Sequence, residues 1–341
     1  MVLDNIFSFF SKDMAIDLGT ANTLIHIKNE GIVLDEPSMV AISRKDDEII
    51  AIGREAKEMY GKTPDTIKTI RPMKDGVIAD FEITQRMIKY FIQKIHNRKS
   101  FLHPQIIIAI PSGITQVEKR AVIDSAEQSG VRKVHLVEEP MAAAIGSKLP
   151  IDKAVGNMVI DIGGGTTEVA VISKSAIAYS ESIRIAGDEM DEAVAHFIKK
   201  RYNLDIGIFE AERVKMEIGS AFTLKSKLET VIRGIDLVKG IPKEIKVDDE
   251  AIRESLDEPV SSIVNAIKRA LEKITPEFAR EIMSRGVVLA GGGSLLKGLG
   301  PRLHKETNLR IYRANDPLKA VVRGAGEILE NFKKMRKVCI N

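Results

Sequence analysis

The sequence predicts a duplicated α/β fold, and two stretches of the chain carry that prediction. Residues Asn157 to Ser173 read as an apolar β-branched run ending in Asp161, a turn of Gly163, Gly164 and Gly165 with Thr166, and a second apolar run through Val169, Val171 and Ile172. This is strand, tight glycine turn, strand. Residues Met14 to Lys28 repeat it: an apolar run, Asp17, Gly19, Thr20, Ala21, Asn22 and Thr23, then a second apolar run. Asp17, Gly19 and Thr23 match Asp161, Gly163 and Thr167 at a constant offset of 144 positions, from 17 to 161. One such hairpin reads equally well as a plain β-hairpin. Two in register point to two like halves.

The chemistry of the repeat points to a phosphate ligand between the halves. Glycine lets a phosphate approach backbone N–H groups closely. An aspartate at a strand end suits hydrated Mg²⁺, which keeps most of its water and takes few carboxylates. The composition agrees with a folded protein of this size. At 341 residues, 44% apolar and 29% charged, the chain has room for two substantial cores. A formal charge of +3 gives no bulk argument for nucleic acid. The single cysteine, Cys339, allows no intramolecular disulfide. No run of about 18 apolar residues occurs, and the start lacks the basic region and cleavage site of a signal peptide. A reducing cytoplasm is the expected location.

Taken in order, residues 1–11 place Val2, Leu3, Ile6, Phe7 and Phe10 on one helical face and polar residues on the other. The pattern fits an in-plane membrane anchor or an arm packed on its own domain. Residues 14–42 read as strands, with Lys45 to Glu48 a hairpin tip and Arg54 to Tyr60 a short helix in a small insertion. Phe81, Met87, Ile88, Phe91, Ile92 and Ile95 have helical period over about Asp80–Asn97. Phe101 and Leu102 then sit between basic residues, either as a second membrane contact or as a loop tucked under the helix.

Gln105 to Ile110 reads as a buried strand and is broken by Pro111-Ser112-Gly113. Thr115 with Glu118 predicts a capping box, and Gly130 a helix stop. The strand Lys133 to Val137 ends in Glu138 and Glu139. Pro140 then starts a small-residue helix. The acidic pair is read either as a helix cap or as a group that orients an attacking water.

In the second half, Asp188 is expected to cap a helix carrying Met190, Val194 and Ile198, followed by a helix from Phe209 to Ser220. Glu212 and Lys215 share a face there, and either hold a ribose hydroxyl or pair with each other. Residues 225–247 alternate as a hairpin of strands in a second insertion. A helix is expected from Pro259 to Ile274, and another from Thr275 to Gly286. The strand Val287 to Ala290 runs into Gly291, Gly292, Gly293 and Ser294, a third glycine turn, with a helix expected from Leu295. A last helix is expected from Leu318 to about Met335, ending in a basic tail.

Five of these segments, DLGTANT (17–23), EEPMAAAIG (138–146), DIGGGTTEVAV (161–171), VVLAGGGSLLKGL (287–299) and ANDPLKAVVRGAG (314–326), fall in the order of the actin–Hsp70–sugar kinase superfamily. Over nearly its whole length the chain resembles the MreB family of bacterial actins, with GDEMDEA and AERVKMEIGSA as further matches. The resemblance implies an actin-like ATPase fold of two RNase H-like lobes. It implies subdomains at 12–33, 76–143 and 318–338 (IA), 34–75 (IB), 144–182 and 248–317 (IIA) and 183–247 (IIB), with 1–11 as a membrane segment.

Carried over residue by residue, the resemblance implies that Asp17 and Asp161 hold Mg²⁺. Gly19, Thr20, Ala21 and Asn22, with Gly163, Gly164, Gly165 and Thr166, would cradle the phosphates of ATP. Glu139 and Thr166 would position the attacking water, Glu212 and Lys215 contact the nucleoside, and Gly291 to Ser294 line the adenine side. Val2, Leu3, Ile6, Phe7, Phe10, Phe101 and Leu102 would meet the inner face of the cell membrane. The implied partners are further copies in paired antiparallel filaments and transmembrane proteins of the cell-wall elongation complex. A chaperone ATPase and a small-molecule kinase are the competing expectations. No β-rich peptide-binding segment follows the motifs, and no base beyond Glu139 stands out for a substrate hydroxyl.

Overall fold

The computed structural model describes residues 13–95 and 104–340. The expected membrane residues Val2, Leu3, Ile6, Phe7, Phe10, Phe101 and Leu102 lie outside them.

Two five-stranded sheets share one plan. In the first, the order is Lys133–Glu138, Gln105–Ile110, Met14–Leu18, Asn22–Ile27, Gly31–Pro37; in the second it is Ile311–Arg313, Val287–Ala290, Asn157–Ile162, Thr167–Ser173, Ala176–Ile183. In each, the aspartate-bearing strand is central, with a parallel neighbour on one side and its own hairpin partner on the other. The registers coincide as well. Asp17 stands opposite Ala109 on the parallel side and Leu24 on the antiparallel side, and Asp161 stands opposite Ala290 and Glu168. The central strands are buried on both faces, which explains why they read as apolar runs up to the aspartate rather than as alternating ones.

Two short helices lie between the sheets. Glu139–Gly146 and Ala320–Glu330 share a single buried cluster with Ala15, Ile107 and Val137 of the first sheet and Val159, Ala170 and Ile172 of the second. The outer face of the first sheet packs on the helices Phe81–Ile95 and Gln116–Gln128. That of the second packs on Gly187–Tyr202 and Asp249–Lys273. Smaller three-stranded sheets, Ile49–Ile52, Val40–Ser43, Ile67–Ile70 and Leu204–Asp205, Glu229–Asp236, Pro242–Asp248, occupy the two inserted regions. The Thr115–Glu118 capping box forms as expected.

Several boundaries differ from the sequence reading, each for a physical reason. The helix expected from Pro259 starts at Asp249, because the Asp248 carboxylate accepts from Ala251 N–H at 3.0 Å. Pro259 sits inside it. The lost backbone bond is outweighed by burial of Ile252, Leu256, Val260, Ile263 and Ile267 along one face. Asp188 is not a cap. Its helix starts at Gly187, and the N–H groups of Gly187 and Asp188 donate to the carbonyls of Gly163 and Gly164 at 3.1 and 2.8 Å. The glycine turn itself satisfies the helix end. After the third glycine turn, Gly292–Leu295 is a 3₁₀ turn and the helix runs Leu299–Thr307. The last expected helix divides into a 3₁₀ turn Pro317–Lys319 and helices Ala320–Glu330 and Phe332–Met335.

Among the described residues no helix is long and apolar enough to cross a membrane.

Candidate functional site

The glycine turns of the two lobes meet. A methyl group built at Gly164 would stand 2.8 Å from Ala21 Cβ, and one at Gly165 would stand 2.8 Å from Thr20 Oγ1. Any side chain there would push the lobes apart, which is a reason for glycine independent of backbone angle. Each turn is braced from within its lobe. Ser38 Oγ donates to the Gly19 carbonyl at 2.6 Å, Gly76 N–H donates to Thr20 Oγ1 at 3.0 Å, and Gly163 N–H donates to the Thr166 carbonyl at 2.9 Å. The third turn closes on the second. Gly291, with φ of +75°, packs so tightly that a Cβ would stand 2.4 Å from Asp161 Oδ1.

Around this junction lie four carboxylic groups with raised pKa values. Asp17 is pushed up to about 8, first by burial, then by Asp161 and Asp35. Burial lifts Asp161 to about 7. Glu139 is held well above its usual range by burial and then by Asp17, Glu168 and Asp161. Glu168 reaches about 7 through burial, against hydrogen bonds from Ser182 and Ser112 that favour its ionised form. Low-dielectric surroundings and like charges act in the same direction here.

Such a cluster fits a divalent cation. Asp161 Oδ1 is buried without a hydrogen-bond partner, and the donors are hard carboxylate oxygens, which suit Mg²⁺. No group of three or more His, Cys, Asp or Glu side chains converges as a metal cage among the described residues. Asp17 and Asp161 could therefore hold the ion only with water and ligand oxygens completing its shell.

The expected site residues fall in three places. Asp17, Gly19 to Asn22, Asp161, Gly163 to Thr166 and Gly291 to Ser294 gather at the junction of the turns. Glu139 opens the helix Glu139–Gly146 beside them, with Pro140 in its first turn. Glu212 and Lys215 lie on Ile208–Ile218 and do not pair with each other. Glu212 Oε2 meets Lys57 Nζ of the first insertion at 2.9 Å. Lys215 Nζ meets Asp191 Oδ1 and the Gly187 carbonyl, both at 2.8 Å.

Four residues outside the expected site make contacts between the lobes: Glu168, Lys57, Arg71 and Asp188. Glu168 does carry a sequence signal, since a carboxylate directly before the apolar run Val169 to Ile172 demands partners once buried. Lys57 is expected within the short helix of the first insertion and Asp188 as a cap, and no local signal singles out Arg71. Arg71 pairs with Asp188 across the lobes at 2.8 Å.

Comparison with known proteins agrees with this architecture. The chain matches the family described as MreB/Mbl protein over residues 11–337. It is 50% identical over 328 residues to the cell shape-determining protein MreB of Escherichia coli K12, covering 94% of each chain. MreB5 of Spiroplasma citri has been solved with ADP and with AMPPNP. The ADP form superposes with a TM-score of 0.91 at 36% identity, covering 95% of this chain and 98% of that one. The AMPPNP form also gives 0.91, at 35% identity, covering 95% and 97%. A double helical filament of MamK gives a TM-score of 0.80 over 93% of this chain and 99% of its own; at 21% identity it bears on the fold alone. The duplicated lobes are those of an actin-like α/β fold, and the chain belongs to the MreB/Mbl family.

Proposed function

We propose that the chain is a cytoskeletal ATPase that assembles with ATP into membrane-associated, antiparallel double filaments. In this reading the filaments organise lateral peptidoglycan synthesis and maintain rod shape from the inner face of the cytoplasmic membrane. The observation that carries the ATPase half is the meeting of the Asp17 and Asp161 turns beside Glu139. The names and bound nucleotides of the relatives support both halves: cell shape for the Escherichia coli protein, and ADP and AMPPNP for MreB5.

The roles follow from the chemistry of each group. The backbone of Gly19 to Asn22 and of Gly163 to Thr166 cradles the phosphates from two sides, with the Gly163 N–H kept on the Thr166 carbonyl to hold the turn's shape. Asp17 and Asp161 hold hydrated Mg²⁺, which when bound neutralises phosphate charge. Glu139 and Thr166 hold the attacking water, and Glu139 takes its proton. Glu212 and Lys215 hold the nucleoside, while Gly291 to Ser294 face the base. Burial of Asp17 and Asp161 in low-dielectric surroundings strengthens their electrostatic contacts. Polymer growth needs head-to-tail contact between unlike surfaces, which does not close on itself. The partners are other copies of the chain, the lipid surface through the N-terminal segment and Phe101-Leu102, and transmembrane proteins of the elongation complex.

The test is electron microscopy of the purified protein with Mg²⁺-ATP, with and without anionic liposomes. Paired filaments lying on lipid are expected. Dispersed monomers that still hydrolyse ATP in both samples would overturn the cytoskeletal reading.

A further inference from the structure

The two central hairpins share one register, but the residue that stands opposite the aspartate differs between them. Leu24 stands opposite Asp17, and Glu168 stands opposite Asp161. Glu168 is 1% exposed, on a strand whose other members are apolar or small. An acidic group so placed is costly unless each oxygen is bonded. Both are. Oε1 accepts from the Ser182 hydroxyl at 2.5 Å, on the neighbouring strand of the same lobe. Oε2 accepts from the Ser112 backbone N–H at 3.2 Å, and Ser112 belongs to the other lobe.

The second bond has a consequence for Glu139. Ser112 lies two residues beyond Ile110, which pairs with Glu138 in the parallel ladder of the first sheet. The loop that Glu168 holds is thus the end of the strand beside the one that delivers Glu139. On the other side, Glu168 is the direct cross-strand neighbour of Asp161. One side chain spans the gap between the metal-side hairpin and the water-side strand.

We propose that Glu168 is a positioning residue for hydrolysis, which pins the Pro111–Gly113 loop of the first lobe to the Asp161 hairpin of the second and so sets where Glu139 stands relative to Asp161. The inference rests on the ATPase reading. It explains why a carboxylate occupies the buried position in one lobe while leucine suffices in the other. The loss expected on removing it is in rate more than in binding, because the nucleotide is held by the turns, whereas attack geometry is sensitive to shifts of about 1 Å.

The experiment compares wild type, E168A and E168Q in the full chain. It measures kcat and KM for Mg²⁺-ATP, the affinity for a fluorescent ADP analogue, and thermal unfolding. Glutamine keeps both contacts: its amide oxygen accepts from Ser112 N–H, and its amide nitrogen donates to Ser182 Oγ. E168A is expected to lower kcat at least about 10-fold, with KM and ADP affinity changed less than about 3-fold. E168Q is expected to recover most of that rate.

Full turnover in E168A, or loss of nucleotide affinity equal to the loss of rate, would overturn the proposal. So would an E168Q as slow as E168A, since charge and not the clamp would then be at work. Should E168A not fold, S182A releases one of the two bonds; a drop in kcat of a few-fold is expected, and an unchanged kcat would overturn the proposal. A wild-type chain without ATPase activity would instead sink the parent reading.

Discussion

Lys57 Nζ and Glu212 Oε2 stand 2.9 Å apart across 155 residues of sequence, and their ion pair joins the first inserted region to the second lobe. It is one of a group. Arg71 and Asp188 pair at 2.8 Å, and the Phe209 ring lies within 4.9 Å of the Tyr60 ring, 4.8 Å of Lys57 Nζ and 5.7 Å of the Arg71 guanidinium. The pairs are partly exposed, so each adds little to global stability, about 0–1 kcal/mol. Their position makes them a clasp between the lobes. K57A and R71A should each speed release of a fluorescent ATP analogue several-fold in stopped flow while shifting the melting temperature by only a degree or two. Unchanged release rates in the double variant would remove the clasp.

Ligand-free stability should depend on pH in an unusual direction. Asp17, Asp161 and Glu168 titrate near 8, 7 and 7 in the folded chain, against about 4 when unfolded. Between those limits the folded state binds more protons than the unfolded one, so stability falls as pH rises from about 4 to 8. D161N should flatten that slope in thermal melts of the nucleotide-free protein, and Mg²⁺-ATP should remove it in wild type. An equal slope in D161N would contradict the raised Asp161 value.

Glu139 separates binding from chemistry. E139Q should retain ATP affinity within a few-fold and lower hydrolysis by about 10²–10⁴-fold, the range of a lost general base. Phosphate release and nucleotide titration on the same sample report the two quantities. Full turnover would take Glu139 out of the mechanism.

Gly324 tests the helix pair between the sheets. A Cβ there would stand 1.8 Å from the Ala142 carbonyl, and one at Gly146 would stand 1.9 Å from the Ala320 carbonyl. These are backbone contacts and cannot be relieved by turning a side chain. G324A should destabilise the chain by about 2 kcal/mol or more, as overpacking of a rigid contact does. A melting temperature within a degree of wild type would show that the helices can separate freely.

The membrane contact is open to deletion. Removing residues 2–10 should weaken co-sedimentation with anionic liposomes while leaving ATP turnover in solution intact. Undiminished co-sedimentation would assign the contact to Phe101-Leu102 or to neither segment.

Much of the framework was legible because local chemistry dictates it. The Asp-Gly-Thr hairpins, the Thr115 capping box and the apolar central strands each follow from residues within a few positions of one another. The errors came where a distant group replaces a local signal. Asp188 looks like a cap, yet the carbonyls of Gly163 and Gly164 do that work and leave Asp188 for Arg71. Pro259 looks like a helix start, yet burial of the surrounding face carries the helix through it.

By itself, the sequence determined two like lobes, two glycine turns, each following an aspartate, and the residue types from which a phosphate and magnesium site can be built. Only the tertiary structure decided that Glu168 reaches Ser112, that Glu212 meets Lys57 rather than Lys215, and that Gly146 and Gly324 must lack side chains. The reason is physical. Strand and turn preferences are local and leave a period in the sequence, whereas contacts between lobes join residues dozens to more than a hundred positions apart and leave none.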